Sequence, residues 1–510
     1  MPISQSDQLF SLIKSLTKSE KRNFTLYVNR ITDSDSMLYR QLFDLLDKQK
    51  TLDEEIIFKK LKTIKKGQLS NLKRHLYTQI MRSLEQLHRQ RRVDIQIREL
   101  LNFAHILYGK GLHLQSLKIL QKAKTMAERS HYDLHFMSIL EFEKKIEGRH
   151  ITRTGADKSL DLIALSEARN KTISNAISLS NLRLTMYNLY VKDGHVAGEK
   201  EAKIIQKLFL DKSPKVAVDG MSVKEKSYLY QAFVWYYYIL QDFVECYKYA
   251  KNWIELFKSE PYMIARDPDI FMRGYHYVLM SAYHNRDLEN YDLHLAQIEK
   301  FRKEQYKKFN TNSQMMSFIY VHNGRLNQYF LSGDFAKGVE AIPKTLQRLQ
   351  RYGKRLDPHR VMVFYYKIAY LYLGNGDPEK CMEYVQKVIQ MDVKKLREDI
   401  QGYARLLLLM AHYDLENEDI MPYLIKTVSQ FFGKMEKSDE LQNACLKFFQ
   451  RIIKVGISDR KSHFIAFQKE LAILQANPYK QRAFMYLDIP SWVESKILRR
   501  SLAEVMGKNN

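Results

Sequence analysis

The sequence predicts an all-α chain, a right-handed α-solenoid of stacked helical hairpins behind an N-terminal helical domain. Three observations carry that expectation. Glycine (19) and proline (10) are scarce in 510 residues while helix formers abound, which leaves few of the turns that β-structure needs. Apolar residues recur at i, i+3, i+4 and i+7 through most of the chain. A short polar break ending in aspartate returns at Asp242, Asp287, Asp334, Asp377, Asp419 and Asp459, at intervals of 45, 47, 43, 42 and 40 residues. A period of this length between apolar helical stretches marks a helical repeat.

Residues 1–92 stand outside the period and read as a basic helical domain. Thr17-x-x-Glu20 spells a capping box ahead of Phe24, Tyr27 and Val28. "SMLYRQLFDLLDKQ" turns Leu38, Leu42, Leu45 and Leu46 to one side, "DEEIIFKKL" is a short helix, and "GQLSNLKRHLYTQIMRSLEQLHRQRR" a long one. A short helix, a basic connection and a basic helix invite comparison with a helix-turn-helix. In that reading Gln68, Ser70, Asn71, Lys73 and Arg74 face bases or phosphates. In the other, the helix buries Leu69, Leu72, Leu76, Ile80 and Leu84 and its basic residues form a solvated face.

Residues 93–480 carry the hairpins. Corners are expected at Gly109/Gly111, around Gly148 and Gly155, at Asp193-Gly194, and then at the six aspartates. An aspartate at such a break is an N-cap: its carboxylate accepts from unpaired N–H groups of the next first turn and complements the helix dipole. Pro378 suits the first helical position, Glu245 approximates a capping box with Asp242, and Gly333 and Gly376 supply positive φ. "GNGD" (374–377) is therefore a corner. It lacks the preceding strand and third glycine of a dinucleotide fingerprint.

The corner and the helix after it resemble the tetratricopeptide repeat. "GLHLQSLKILQKA" supplies Gly111, His113, Ser116, Leu120 and Ala123; "QDFVECYKYAKNW" supplies Phe243, Cys246, Ala250 and Trp253. "GDFAKGVEAIPKT" supplies Gly333, Phe335, Gly338, Ile342 and Thr345, and "GDPEKCMEYVQKV" supplies Gly376, Pro378, Cys381, Val385 and Val388. The resemblance covers roughly residues 94 to 475. Its period exceeds the family's usual ~34 residues, which longer helices accommodate. It implies a concave surface lined by the fifth and ninth positions of each first helix, here Gln231 and Trp235, His276 and Met280, Asn323 and Asn327, Tyr366 and Tyr370. The family's full Lys/Asn/Arg carboxylate clamp is not present. Residues 481–510, with Ser491-x-x-Glu494 and the stripe Trp492, Val493, Ile497, Leu498 and Leu502, read as a capping helix for the last repeat.

A net charge of +24 favours anionic partners. Twelve Lys/Arg against Glu85 and Asp94 between residues 59 and 98 give that stretch +10. Cys246, Cys381 and Cys445 form no CxxC pair, which argues against a disulfide framework or zinc site. His131 and His135 stand at i, i+4 without a third ligand nearby, and "GHVAGEK" misses the P-loop spacing. No nucleophile elbow or HExxH occurs. The start lacks the pattern of a secretory signal, and no apolar run reaches the ~20 residues of a membrane span. The expectation is a cytoplasmic, non-catalytic scaffold without cofactor that binds an acidic protein or peptide. The alternative is a nucleic-acid-binding regulator acting through residues 1–92.

Overall fold

Four of the six aspartate breaks become helix corners of one design. The computed structural model describes residues 5–30, 36–61, 64, 66–89, 92–149, 157–214, 217–391, 397–435, 439–481 and 483–508, and all regular structure among them is helical. At four corners the residue before the aspartate is left-handed: Gln241 (φ 64°), Arg286 (53°), Gly333 (71°) and Gly376 (79°). The aspartate carboxylate then accepts from the N–H three residues on, at Glu245 (3.1 Å), Asn290 (3.0 Å), Lys337 (3.2 Å) and Lys380 (3.0 Å). The N–H groups of Asp242, Asp287 and Asp377 donate back to the carbonyls of Tyr237, Ala282 and Tyr372 at 2.9–3.0 Å. This is the Schellman closure, which satisfies the carbonyls left over at a helix end. Leu112, Tyr132 and Asn417 close in the same way behind left-handed Gly111, His131 and Glu416.

Asp419 and Asp459 depart from the expected cap. A 3₁₀ turn, Glu418–Ile420, holds Asp419, and helix Met421–Lys434 follows it without a side-chain cap. Asp459 adopts helical dihedrals (φ −95°, ψ −10°) and makes no cap bond, whereas a capping residue needs an extended backbone to aim its oxygen at the following N–H groups. Glu245 does not complete a capping box either; it pairs with Lys248. The second helix after Gly333 is broken, into Phe335–Glu340 and Ile342–Tyr352, with Pro343, which lacks an N–H, in the first turn of the second piece. Gly155 lies outside the described residues.

The chain forms two compact units, residues 1–173 and 174–510, divided within helix Asp157–Asp193. The expected boundary at residue 92 lies inside the first unit, which holds two separate cores. In one, helix Lys66–Arg89 packs on Gln5–Ser15 and Lys18–Val28 around Leu9, Ile13, Phe24, Leu42, Leu76 and Ile80. The capping box of Thr17 and Glu20 is formed. In the other, helices Val93–Gly109, His113–Arg129 and Asp133–Glu147 enclose Ile97, Leu120, Phe136 and Ile139.

In the second unit packing follows chain order. Val223–Leu240 packs on Phe243–Ser259, that helix on Pro268–His284, and the latter on both Leu288–Gln305 and Thr311–Ser332. Pro358–Gly374, Pro378–Ile389, Glu398–Asp414, Met421–Lys434, Glu440–Ile452 and Arg460–Gln475 continue, each against the next. Successive helices thus cover one another's apolar faces, and one core runs from Val234 to Met506. The double glycine at 374 and 376 has two separate causes. A Cβ on Gly374 would lie 2.2 Å from the Phe335 ring, while Gly376 has open space but a φ of 79°.

The last residues run back across these helices. Gln241 Nε2 donates to the Tyr479 carbonyl (2.9 Å), Tyr366 OH to the Tyr486 carbonyl (2.7 Å), and Trp492 Nε1 to Asp414 (3.2 Å). Asp488 caps helix Ile489–Leu498 by accepting from Ser491 N–H (3.1 Å), so the cap falls three residues before the expected Ser491. Trp492, Val493 and Leu502 are buried, Ile497 is half-buried and Leu498 is exposed.

Gly374→Ala is expected to cost about 3 kcal/mol by overpacking against Phe335, and Asp377→Ala about 1 kcal/mol by loss of the cap. Urea unfolding of the two variants measures both, and a Gly374→Ala midpoint equal to that of the parent would contradict the close approach.

Candidate functional site

A basic side chain inside an apolar helix must reach water, a counter-ion or a ligand, because an unpaired buried charge is costly. Helices Pro268–His284 and Pro358–Gly374 of the second unit carry such residues, and Thr311–Ser332, between them in sequence, carries their polar partners. Pro268–His284 bears Arg273 and His276, Thr311–Ser332 bears Tyr320 and Asn323, and Pro358–Gly374 bears Arg360 and Lys367, seven residues apart and so on one side of their helix. Arg273 Nε donates to Tyr320 OH (3.2 Å), the His276 ring stacks on the Tyr320 ring (5.1 Å between centroids), and Lys367 Nζ donates to Asn323 Oδ1 (3.0 Å). All four basic residues are half-buried.

Charges act on one another here. Burial, and then the positive charges of Arg360, Lys367 and Arg273, hold the His276 imidazole neutral down to about pH 3. Burial, with Arg397 adding to it, pulls Lys367 down to about 7. Arg397 itself is satisfied by Asp399, at 3.0 and 3.2 Å. Arg273, Arg360 and Lys367 have no carboxylate within ion-pair distance among the described residues. Arg183 is in the same position, its guanidinium 5.7 Å from the Tyr228 ring and its Nε without a hydrogen-bond partner among the described residues.

The eight residues assigned to the lining sort into three groups. Trp235, His276, Met280, Asn323 and Asn327 each contact a residue of another helix: Trp235 packs on Tyr190 (5.1 Å) and Tyr277 (5.2 Å), and Asn327 Nδ2 donates to Met280 Sδ (3.6 Å). Tyr366 and Tyr370 are buried under the chain's own last residues, Tyr370 OH accepting from Asp488 N–H (3.3 Å). Gln231 is buried and donates to the carbonyl of Ser227 (3.0 Å) within its own helix. Sequence reasoning missed Arg273, Arg360, Lys367 and Arg397. The available signal was a lone cation in an otherwise apolar run, as in "IFMRGYHYVLM" and "VFYYKIAYLYL".

In the first unit, Gln68, Ser70, Asn71 and Arg74 are exposed on helix Lys66–Arg89, Arg74 donating to Asn71 Oδ1 (2.7 Å). Lys73 is turned inward, 5% exposed, and pairs with Glu54. Lys62, Lys65 and Arg91 of the basic stretch lie outside the described residues. His131 is the left-handed corner residue ahead of helix Asp133–Glu147, so His131 and His135 do not share a helix face. No group of three or more His, Cys, Asp or Glu among the described residues could hold a metal ion. All three cysteines are free and buried, and burial pushes the Cys246 thiol up to about 12, far from thiolate reactivity at neutral pH. No helix among the described residues is long and apolar enough to cross a membrane.

Lys367 yields a pH-dependent prediction. Its pKa in the fold, about 7, lies below the ~10.4 of an unfolded chain. The unfolded state therefore binds more protons between these values, and the cost of burying the ammonium, full below pH ~7, is relieved as pH rises towards ~10. Lys367→Met should raise Tm at pH ~6, with the gain shrinking as the pH rises towards ~10; calorimetry across that range checks it, and a pH-independent difference would contradict it. Comparison with protein-family models and with curated proteins gives no match for this sequence.

Proposed function

We propose that the chain is a non-catalytic scaffold, a right-handed α-solenoid of tetratricopeptide-like hairpins whose concave face holds a segment of an acidic protein. The observation that carries this reading is the set of half-buried cations, Arg183, Arg273, Arg360 and Lys367, that no carboxylate among the described residues neutralises. A fold keeps such charges at a cost in stability, and an anionic ligand recovers it. The half-buried ring of Trp235, backed by the buried Tyr277, supplies rigid contact area in this part of the unit, and aromatic and arginine residues together are typical of binding hot spots. The chemistry is recognition: the thiols are buried, and His276 remains neutral and hemmed in by cations.

A second reading, nucleic-acid binding by the first unit, draws on the outer face of helix Lys66–Arg89. Gln68, Ser70, Asn71, Arg74 and Arg82 are exposed there. Arg74 and Arg82 have no carboxylate partner among the described residues. Lys73 takes no part, being held by Glu54.

The two readings separate by titration. A fluorescein-labelled oligoglutamate should bind the intact chain, more weakly as salt rises, and Arg273→Gln with Arg360→Gln should lower its affinity at least ~10-fold. Unchanged affinity in that double variant would remove the face from the proposal. Duplex DNA and RNA serve as the second arm. Binding that falls steeply with salt and is lost in Arg74→Glu with Arg82→Glu would favour the nucleic-acid reading.

A further inference from the structure

We propose that Arg273, Arg360 and Lys367, with Tyr320 and Asn323 between them, form one site for a doubly charged anionic group on the bound segment. The inference rests on the reading that this face holds a partner segment, and adds what that segment must carry. The three cations come from two different helices, and a third helix between them in sequence orients two of them: Tyr320 accepts from Arg273 and Asn323 accepts from Lys367. Their common neighbour is His276, whose ring lies against Tyr320 and feels all three positive charges. They therefore surround one locality rather than forming a strip.

The charge count selects the ligand. Arg397 is matched by Asp399, which also accepts from Tyr486 OH (2.8 Å), so neither adds a free charge. His276 is neutral through the physiological range. Two guanidiniums remain, with an ammonium that sheds its proton near neutrality when the site is empty. A single carboxylate would leave a guanidinium unmatched. A phosphate monoester carries a charge of about −1.5 to −2 at pH 7, and two adjacent carboxylates carry the same. Either can take paired N–H donors from a guanidinium.

Lys367 then becomes the coupling element. The groups facing it are Asn323, His276, Arg397 with its Asp399, and, across His276, Arg360 and Arg273. All the charged groups but Asp399 are cationic or held neutral, so an entering anion is the change that favours its ammonium form. Above pH ~7 binding must draw a proton from solution, and affinity must fall as the pH rises further.

The test uses labelled peptides identical except at one place, bearing serine, phosphoserine or a Glu-Glu pair. They are titrated against the intact chain, Lys367→Met and Arg360→Gln, with folding of each variant checked by circular dichroism. The phosphoserine and Glu-Glu peptides should bind at least ~10-fold tighter than the serine peptide, and each substitution should remove most of that advantage. Calorimetry at pH ~8 in two buffers of different ionisation enthalpy should show proton uptake by the intact chain and by Arg360→Gln, and none by Lys367→Met. Preference for phosphoserine or for Glu-Glu identifies which source of the double charge the site takes. Equal binding of all three peptides, or uptake that survives in Lys367→Met, would overturn the site while leaving a peptide-binding face. Binding of none would remove the face as well. Should Lys367→Met fail to fold, Arg360→Gln alone decides: undiminished affinity in it overturns the site.

Discussion

The closure shared by the corners at Asp242, Asp287 and Asp377 is the constraint on which much of the second unit rests. A left-handed residue, an N–H reaching back five residues and a carboxylate reaching forward three leave no freedom in how one helix hands over to the next. Because the corners are alike, equivalent positions in successive first helices share an environment. Tyr228, Arg273 and Tyr320 each stand fourteen residues before their aspartate, and His276 and Asn323 each stand eleven before theirs. The meeting of Arg273 with Tyr320 follows from that shared register rather than from any local motif, whereas Lys367, which bonds to Asn323, stands ten residues before Asp377 and so one position off.

The corners were largely legible in the sequence because their chemistry is local: an aspartate, a following helix, often a glycine. What escaped was conformational. Gln241, Arg286 and Glu416 take the left-handed position without being glycine, at a cost of roughly 1–2 kcal/mol each. Two of them have a tertiary reason. Gln241 bonds to the carbonyls of Val196 and Tyr479, and Arg286 pairs with Asp488. No reading of nearby residues could supply partners some two hundred positions away. The cationic cluster was legible only in part, since a lone cation in an apolar run marks Arg273 and Lys367 singly but their convergence depends on distant positions. Lys73 shows the opposite error: it fits the basic pattern of its helix, but Glu54 on the preceding helix captures it.

The cationic cluster sits inside an otherwise apolar assembly and weakens it. Neighbouring positions in the same helices, Phe364 and Ile368 beside Lys367 for example, are fully buried. Local consistency of sequence with structure fails where a fold serves something other than its own stability. Here it fails at Arg273 on one helix and at Arg360 and Lys367 on another.

Linear arrays of helix pairs ordinarily melt piecemeal, since each pair touches only its neighbours. The bond from Gln241 to Tyr479 spans 238 positions, and Tyr366, Tyr370 and Asp414 are tied to the same final stretch. Such a clasp turns nearest-neighbour energetics into a ring of mutual dependence: fraying at one end is felt at the other.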